Sequence, residues 1–197
     1  MMKFKVINIE NLSEAQFDSA FDKMSSERKI RCLRYKFTED RRRMAFGDEL
    51  LRKLLSEVYC ADEKDIELNN LPSGKPVAKV LGKEVFVSIT HSGNFVASAV
   101  SDTPVGIDLE VKKAYKPTVY KALNEAEREY IAKSKDEALA FYKIWTAKEA
   151  FVKLSGVGLA GFSKADVLPL VKNGKWDGLV LKANHTEDYV FTIIYEK

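Results

Sequence analysis

The stretch Val105-Gly106-Ile107-Asp108-Leu109-Glu110-Val111 has the two-residue alternation of an extended strand. Side chains two apart in a strand leave the same face, so Asp108 and Glu110 stand side by side while Ile107 and Leu109 point to an opposite, apolar side. Adjacent carboxylates repel, and oxygen-only ligation of this kind suits Mg²⁺, which keeps room for phosphate oxygens and water. A solvated strand end is the competing reading of the same residues.

Working outward, Ser101-Asp-Thr-Pro104 separates two runs of similar order. Upstream, Phe4, Val6 and Ile9 suggest a strand, Ser13 to Leu33 one or two short helices, and Thr38 to Tyr59 a long helix with Met44, Gly47, Leu51, Leu54, Leu55 and Val58 on one face. Leu71-Pro-Ser-Gly-Lys-Pro76 reads as a loop, and strands at Val85 to Ile89 and Phe95 to Val100 flank a polar turn, Thr90-His-Ser-Gly-Asn94. Downstream, the strand at Val105 to Val111 leads to helices near Asn124 to Ala132 and Lys135 to Leu154, then strands near Leu179 to Lys182 and Tyr189 to Tyr195. The expected fold class is α+β, with two similar α/β halves, 1–104 and 105–197, each with an antiparallel sheet and a long helix. A ligand cleft is expected between them.

On the second long helix, Trp145, Glu149 and Lys153 fall one turn apart with Lys148 beside them. An ordinary exposed Glu-to-Lys pair is the plain interpretation. Phe141, Tyr142, Ile144, Phe151 and Val152 make the helix apolar nearly all round, however, which puts the charges near a buried or cleft-lining face. Gly156-Val-Gly-Leu-Ala-Gly161 matches the dinucleotide fingerprint in letters only. It follows a helix instead of a strand, so a glycine stop to that helix explains it better. Asn124-Glu-Ala-Glu127 reads as a helix capping box, with Glu127 a secondary candidate acid.

Composition narrows the classes. The chain has 197 residues, 46% hydrophobic and 31% charged, with 10 Gly and 5 Pro, the balance of a globular protein with a real core. The net charge of +3 is too small to announce a nucleic-acid or membrane binder. Residues 23–53 nevertheless hold eleven Lys/Arg against five acids, which suggests a local anion-binding surface. The 2 cysteines, Cys32 and Cys60, show no disulfide or zinc spacing, and no stretch reads as a signal peptide or bilayer span. A cytoplasmic protein is expected. The 2 histidines exclude a His-rich centre; His91 sits where it can donate to a phosphate oxygen, and His185 reads as an exposed hairpin tip.

Taken together, these pieces resemble the 4′-phosphopantetheinyl transferases, specifically the surfactin-synthetase-activating class with both halves on one chain. The resemblance rests on Gly106-Ile-Asp108-Leu-Glu110, followed some forty residues on by Trp145-Thr-Ala-Lys148-Glu149-Ala-Phe-Val-Lys153. Upstream landmarks are Arg34-Tyr-Lys-Phe-Thr-Glu-Asp-Arg-Arg-Arg43, Gly74-Lys75-Pro76 and Ser88-Ile-Thr90-His91-Ser-Gly93.

The resemblance implies transfer of the phosphopantetheine arm of coenzyme A to a serine of an apo acyl or peptidyl carrier protein, with release of adenosine 3′,5′-bisphosphate. It implies Mg²⁺ on Asp108, Glu110 and Glu149, and coenzyme A contacts from Arg28, Arg31, Arg43, Lys75, Thr90, His91 and Lys153. The residues of 1–104 would serve the phosphates and adenine, and those of 105–197 the metal and catalysis. Glu149 would act as general base, directly or through a water, with Lys153 stabilising or protonating the departing bisphosphate. Met44 departs from the small hydroxyl residue of some relatives, which removes one phosphate hydrogen bond. The segment Val111 to Leu123, with Lys112, Lys113, Tyr115 and Lys116, is the expected carrier-docking surface. A monomer is expected, with no nucleic-acid or membrane partner. The carrier, whether of fatty acid, polyketide or nonribosomal peptide synthesis, is left open. Two rival readings are a nucleic-acid binder using residues 23–53 and a non-catalytic coenzyme A- or carrier-binding protein of the same fold.

Overall fold

The structure is a computed structural model that describes residues 1–113, 117–156, 158 and 161–197, with the backbone alone at 117–119. In the first part of the chain, strand β1 (Met2–Asn8) leads to helices α1 (Glu14–Asp22), α2 (Ser26–Leu33) and α3 (Thr38–Tyr59). Strands β2 (Ile66–Asn70), β3 (Pro76–Val80), β4 (Lys83–Ser92) and β5 (Phe95–Ser101) follow. The second part runs β6 (Val105–Val111), α4 (Glu125–Ala132), α5 (Glu137–Ser155), α6 (Leu168–Asn173), β7 (Lys175–Trp176), β8 (Leu179–His185) and β9 (Tyr189–Glu196). They form two compact units, Met1–Thr103 and Pro104–Lys197.

Local chemistry explains the helix boundaries. Ser13 and Gln16 close a reciprocal capping box on α1, Ser25 caps α2, and Asn124 with Glu127 closes a second box on α4. Helix α5 stops at Gly156, whose left-handed backbone (φ 71°) costs glycine nothing and lets its N–H reach Val152 O. That stop agrees with the sequence reading of the glycine run; Val157, Leu159 and Ala160 of the run lie outside the described residues.

Each unit is α+β with an antiparallel sheet and one long helix laid on it. The first has strand order β1-β5-β4-β3-β2 and the second β6-β9-β8-β7. In both, the last strand lies between the first strand and its own hairpin partner. Helix α3 buries Leu51, Leu54 and Leu55 with Val87 and Val100 of its sheet. Helix α5 buries Ile144, Ala147, Ala150 and Leu154 with Val190 and Ile194 of β9. Among the described residues no helix is long and apolar enough to cross a membrane.

Three features differ from the sequence reading. Strands β2 and β3 carry no strong alternation, yet they pair as a hairpin around the Leu71–Lys75 loop. Thr90 and His91 belong to β4, opposite Ala97 and Val96, so the turn after them shrinks to Gly93-Asn94. The carboxylate side of β6 is also not its solvent side. Ala150 and Leu154 of α5 lie against Gly106, which shares the face of Asp108 and Glu110. Ile107 and Leu109 are fully buried as well, so this strand has no polar face in the ordinary sense.

Gly106 makes that packing possible. A Cβ built there would fall 1.9 Å from Ala150 O and 2.6 Å from Leu154 N, both backbone atoms of α5. Gly106→Ala is therefore expected to push α5 off β6 and destabilise the chain by at least ~3 kcal/mol, read as a shift of the urea midpoint.

Candidate functional site

The C-terminal unit collects its charged groups where β6 meets α5. Asp108 is 3% exposed, and its Oδ1 accepts from Lys153 Nζ at 2.6 Å. Glu149, one helical turn before Lys153 and half-buried, has its pKa raised from the ordinary 4.5, first by burial and then by the charge of Asp108, with Lys153 pulling the other way. Glu110 is half-buried and shares Asp108's face two residues along β6. Asp108, Glu149 and Lys153 are thus electrostatically coupled, although 41 or more residues separate the strand acid from the helix pair.

Lys148 goes elsewhere. It is fully buried, and its ammonium donates to Glu127 Oε1 at 2.9 Å, Glu127 Oε2 at 3.1 Å and Ala165 O at 2.5 Å, which accounts for all three of its protons. Glu127 is equally buried and its Oε2 also accepts from Asn124 N at 2.9 Å. Glu127 is therefore a capping-box and ion-pair residue locking α4 to α5, in agreement with the capping-box reading of Asn124-Glu-Ala-Glu127. Trp145 packs on this side too, its ring 5.8 Å from Phe141 and 4.8 Å from Phe162. The buried Glu127–Lys148 pair and the Thr146–Thr192 hydroxyl contact of 2.7 Å are not apparent in the sequence reading. A lysine inside an almost wholly apolar helix was the available signal for the first.

The donor set at β6 and α5 fits a divalent cation. Two carboxylates press on each other in a partly desolvated place, and the Lys153 ammonium already stands in for positive charge on Asp108. Among the described residues no three His, Cys, Asp or Glu side chains form a ready-made metal cage. Mg²⁺ does not require one, since it usually takes one or two carboxylates and completes its shell with water and substrate oxygens.

In the N-terminal unit, most of the basic excess of residues 23–53 is engaged in ion pairs. Arg28 and Arg52 both reach Asp48, Arg42 reaches Glu14, Arg43 reaches Asp40, and Lys23 and Lys53 reach Glu49. Arg28 departs from expectation. It is 3% exposed, its Nε bonded to Asp48 and its Nη1 to Asn70, so the guanidinium is held inside the unit and does not project as a surface phosphate ligand. Arg43 donates to Gly93 O at 3.0 Å, tying α3 to the turn beyond His91. Thr90 and His91 leave opposite faces of β4, with Thr90 buried and His91 exposed. Met44 is half-buried against the core of α1 and α3. Arg31 and Arg34 remain exposed beside a surface hollow of about 560 Å³ that Ile30, Tyr35, Leu71 and Pro72 also line. Lys75, half-buried in the loop before β3, has its pKa lowered by burial.

Of the expected docking segment, Lys112 Nζ donates to Thr186 O at 2.5 Å, and the backbone of Lys113 exchanges two hydrogen bonds of 2.8 Å with the Tyr142 hydroxyl. Tyr115 and Lys116 lie outside the described residues. Residues Pro117–Ala122 form a 3₁₀ turn where a plain loop was expected.

The two units match known families separately. Residues 104–194 match the model described as the 4′-phosphopantetheinyl transferase superfamily, and residues 11–103 match the N-terminal model of 4′-phosphopantetheinyl transferase. The chain is similar to 4′-phosphopantetheinyl transferase Sfp of Bacillus subtilis, 35% identical over 153 residues that cover 76% of this chain and 67% of that protein. It is also similar to 4′-phosphopantetheinyl transferase psf-1 of Bacillus pumilus, 30% identical over 172 residues, with 81% of this chain and 71% of the relative covered. A third relative, HetI of Nostoc sp., is 27% identical over 168 residues, covering 78% and 68%.

Two outcomes test the division of charges between structure and chemistry. Lys148→Met leaves the Glu127 carboxylate buried and unpaired, and is expected to cost ~3–5 kcal/mol in urea unfolding, much of it regained when Glu127→Gln is added. Glu149 behaves oppositely. Its raised pKa means that the folded state holds the proton more tightly than the unfolded chain, so its ionisation opposes folding at neutral pH. That opposition fades as pH falls and is gone below the ordinary carboxylate value. Without added metal, Glu149→Gln should melt higher than the parent at pH 7 and at the same temperature near pH 4.

Proposed function

The chain belongs to the 4′-phosphopantetheinyl transferase superfamily, and on that footing we propose that it moves the phosphopantetheine arm of coenzyme A onto a serine of an apo acyl or peptidyl carrier protein, releasing adenosine 3′,5′-bisphosphate. The observation that carries the reading is the coupling of Asp108, Glu149 and Lys153 across β6 and α5. These are the residues that the family signature occupies in this chain.

In the reaction, the serine Oγ–phosphorus bond forms as the phosphorus–oxygen bond to the bisphosphate breaks. Glu149 takes the serine proton, directly or through a water; its burial and the neighbouring carboxylate make it a stronger base than an exposed glutamate. Lys153, oriented by Asp108, offers its ammonium to the negative charge gathering on the leaving bisphosphate. Asp108, Glu110 and Glu149 would hold Mg²⁺, which when bound neutralises pyrophosphate charge.

The N-terminal unit serves the phosphates and adenine of coenzyme A. Exposed Arg31, beside its hollow, and exposed His91 supply donors together with half-buried Lys75. Arg43 and Thr90 hold neighbouring backbone and strand positions, and Arg28 acts from within. The carrier docks on the Val111 to Leu123 segment. The reading includes a monomeric protein of the cytoplasm with no nucleic-acid or membrane partner, supported by two free thiols and a small net charge.

The test incubates the chain with coenzyme A, Mg²⁺ and an apo carrier domain and weighs the carrier by mass spectrometry. The expected result is a gain of one phosphopantetheine group, lost on chelation and slowed by about 10²-fold or more in Asp108→Asn and Glu149→Gln. Coenzyme A binding with no mass gain points to the non-catalytic binding protein, and retention on nucleic acid with no mass gain to the nucleic-acid binder.

A further inference from the structure

The interior of the N-terminal unit holds a chain of charges and amides that ends at the loop carrying Lys75. Asp48 on α3 is fully buried and accepts from two guanidiniums, Arg52 Nε at 2.7 Å and Arg28 Nε of α2. Arg52 Nη1 donates to Ile66 O at 3.2 Å, the first residue of β2, and Arg28 Nη1 donates to Asn70 Oδ1 at its last. Asn70 Nδ2 then donates to Gly74 O at 2.7 Å. The orientation of the Asn70 amide follows from its neighbours, because a guanidinium can only donate and a carbonyl can only accept.

Beyond Asn70 the chain turns through Leu71-Pro-Ser-Gly-Lys75 and re-enters the sheet at Pro76, paired with Asn70 itself. The loop is closed by Gly74 N to Leu71 O at 2.7 Å and Leu71 N to Lys75 O at 2.9 Å. Gly74 has φ +89°, a conformation that favours glycine, and the Arg31 guanidinium lies over it, 2.8 Å from where a Cβ would stand. Exposed Arg31 and half-buried Lys75 therefore share one small backbone platform. Asn70 fastens that platform to the buried Asp48 cluster.

We propose that Asn70 is a positioning residue for coenzyme A binding. Its carboxamide converts the rigidity of the Arg28–Asp48–Arg52 cluster into a fixed placement of Gly74 and Lys75, with Arg31 laid across them. The inference rests on the reading that these cations meet coenzyme A phosphates. It adds a residue that touches no ligand and that no signature motif contains. It also gives Arg28 a task that agrees with its burial, as the link between Asp48 and Asn70.

Asn70→Asp separates the two bonds, since a carboxylate still accepts from Arg28 but repels the Gly74 carbonyl. Asn70→Ser is the second variant, too short to reach Gly74. Calorimetric titration with coenzyme A, thermal melts, and transfer kinetics on an apo carrier domain are compared with the parent chain. Both variants are expected to melt cooperatively and to lose affinity for coenzyme A by about tenfold, the equivalent of one lost hydrogen bond to an ordered loop. Their kcat at saturating coenzyme A should stay within about twofold, because no reacting group is disturbed. Folded variants with unchanged coenzyme A affinity would overturn the inference while the transferase reading stands. Loss of cooperative melting in both variants also counts against it, since Asn70 would then belong to the fold at large. A parent chain that neither binds coenzyme A nor modifies the carrier would overturn the transferase reading and the inference with it.

Discussion

The closeness of α5 to β6 is the constraint on which the C-terminal unit depends. With no side chain at Gly106, the helix backbone rests almost directly on the strand, at a distance that no larger residue permits. That contact sets the height at which Glu149 and Lys153 arrive over Asp108. A helix displaced outward by the width of a methyl group would leave Asp108 facing a gap. The three charges would then relax into water and lose their mutual perturbation.

Charge is buried in this chain in two different ways. Around Lys148 every proton of the ammonium has an acceptor and the partner carboxylate is held by a helix cap, so the pair is saturated and inert. Asp48 between Arg28 and Arg52 is a similar case, an anion closed in by two cations. At Asp108 and Glu149 the balance differs, because the Lys153 ammonium stands beside two carboxylates and Glu149 still resists ionisation. Saturated clusters rigidify and specify packing. Sites with an electrostatic deficit are suited to chemistry, because a ligand of the missing charge relieves the strain on arrival.

The family signature mixes these two roles in one run of residues. Lys148 and Glu149 are neighbours in sequence, but a helix turns successive residues by about 100°, so one points toward α4 and the interior while the other points toward β6. Trp145, three residues before Lys148, packs against Phe141 and Phe162. The motif Trp-x-x-Lys-Glu-x-x-x-Lys therefore holds both an anchor of α5 and the pair that faces Asp108. The basic stretch of residues 23–53 is mixed in the same sense, with most of its cations closing ion pairs and a few left outward at Arg31 and Arg34.

Periodicity located α3, α5, β5, β6 and β9, because each carries an apolar pattern that suits its geometry, and a capping box marked the start of α4. Periodicity also put Asp108 and Glu110 on one face of a strand and Glu149 and Lys153 one helical turn apart, while the roles of these residues came only with the family resemblance; a glycine stop marked the end of α5. Other features were decided only by folding. The sequence does not reveal that Lys148 seeks Glu127, that Asp48 gathers Arg28 and Arg52, or that Asn70 hangs the Gly74 loop from that cluster. Those partners are 4 to 42 residues apart and chosen by the packing of whole elements. Nor does it reveal that Thr90 and His91, adjacent in the chain, leave opposite faces of one strand. Local order is written in the repeat of apolar residues, whereas the choice between a buried and a working charge depends on which surface the fold brings against it.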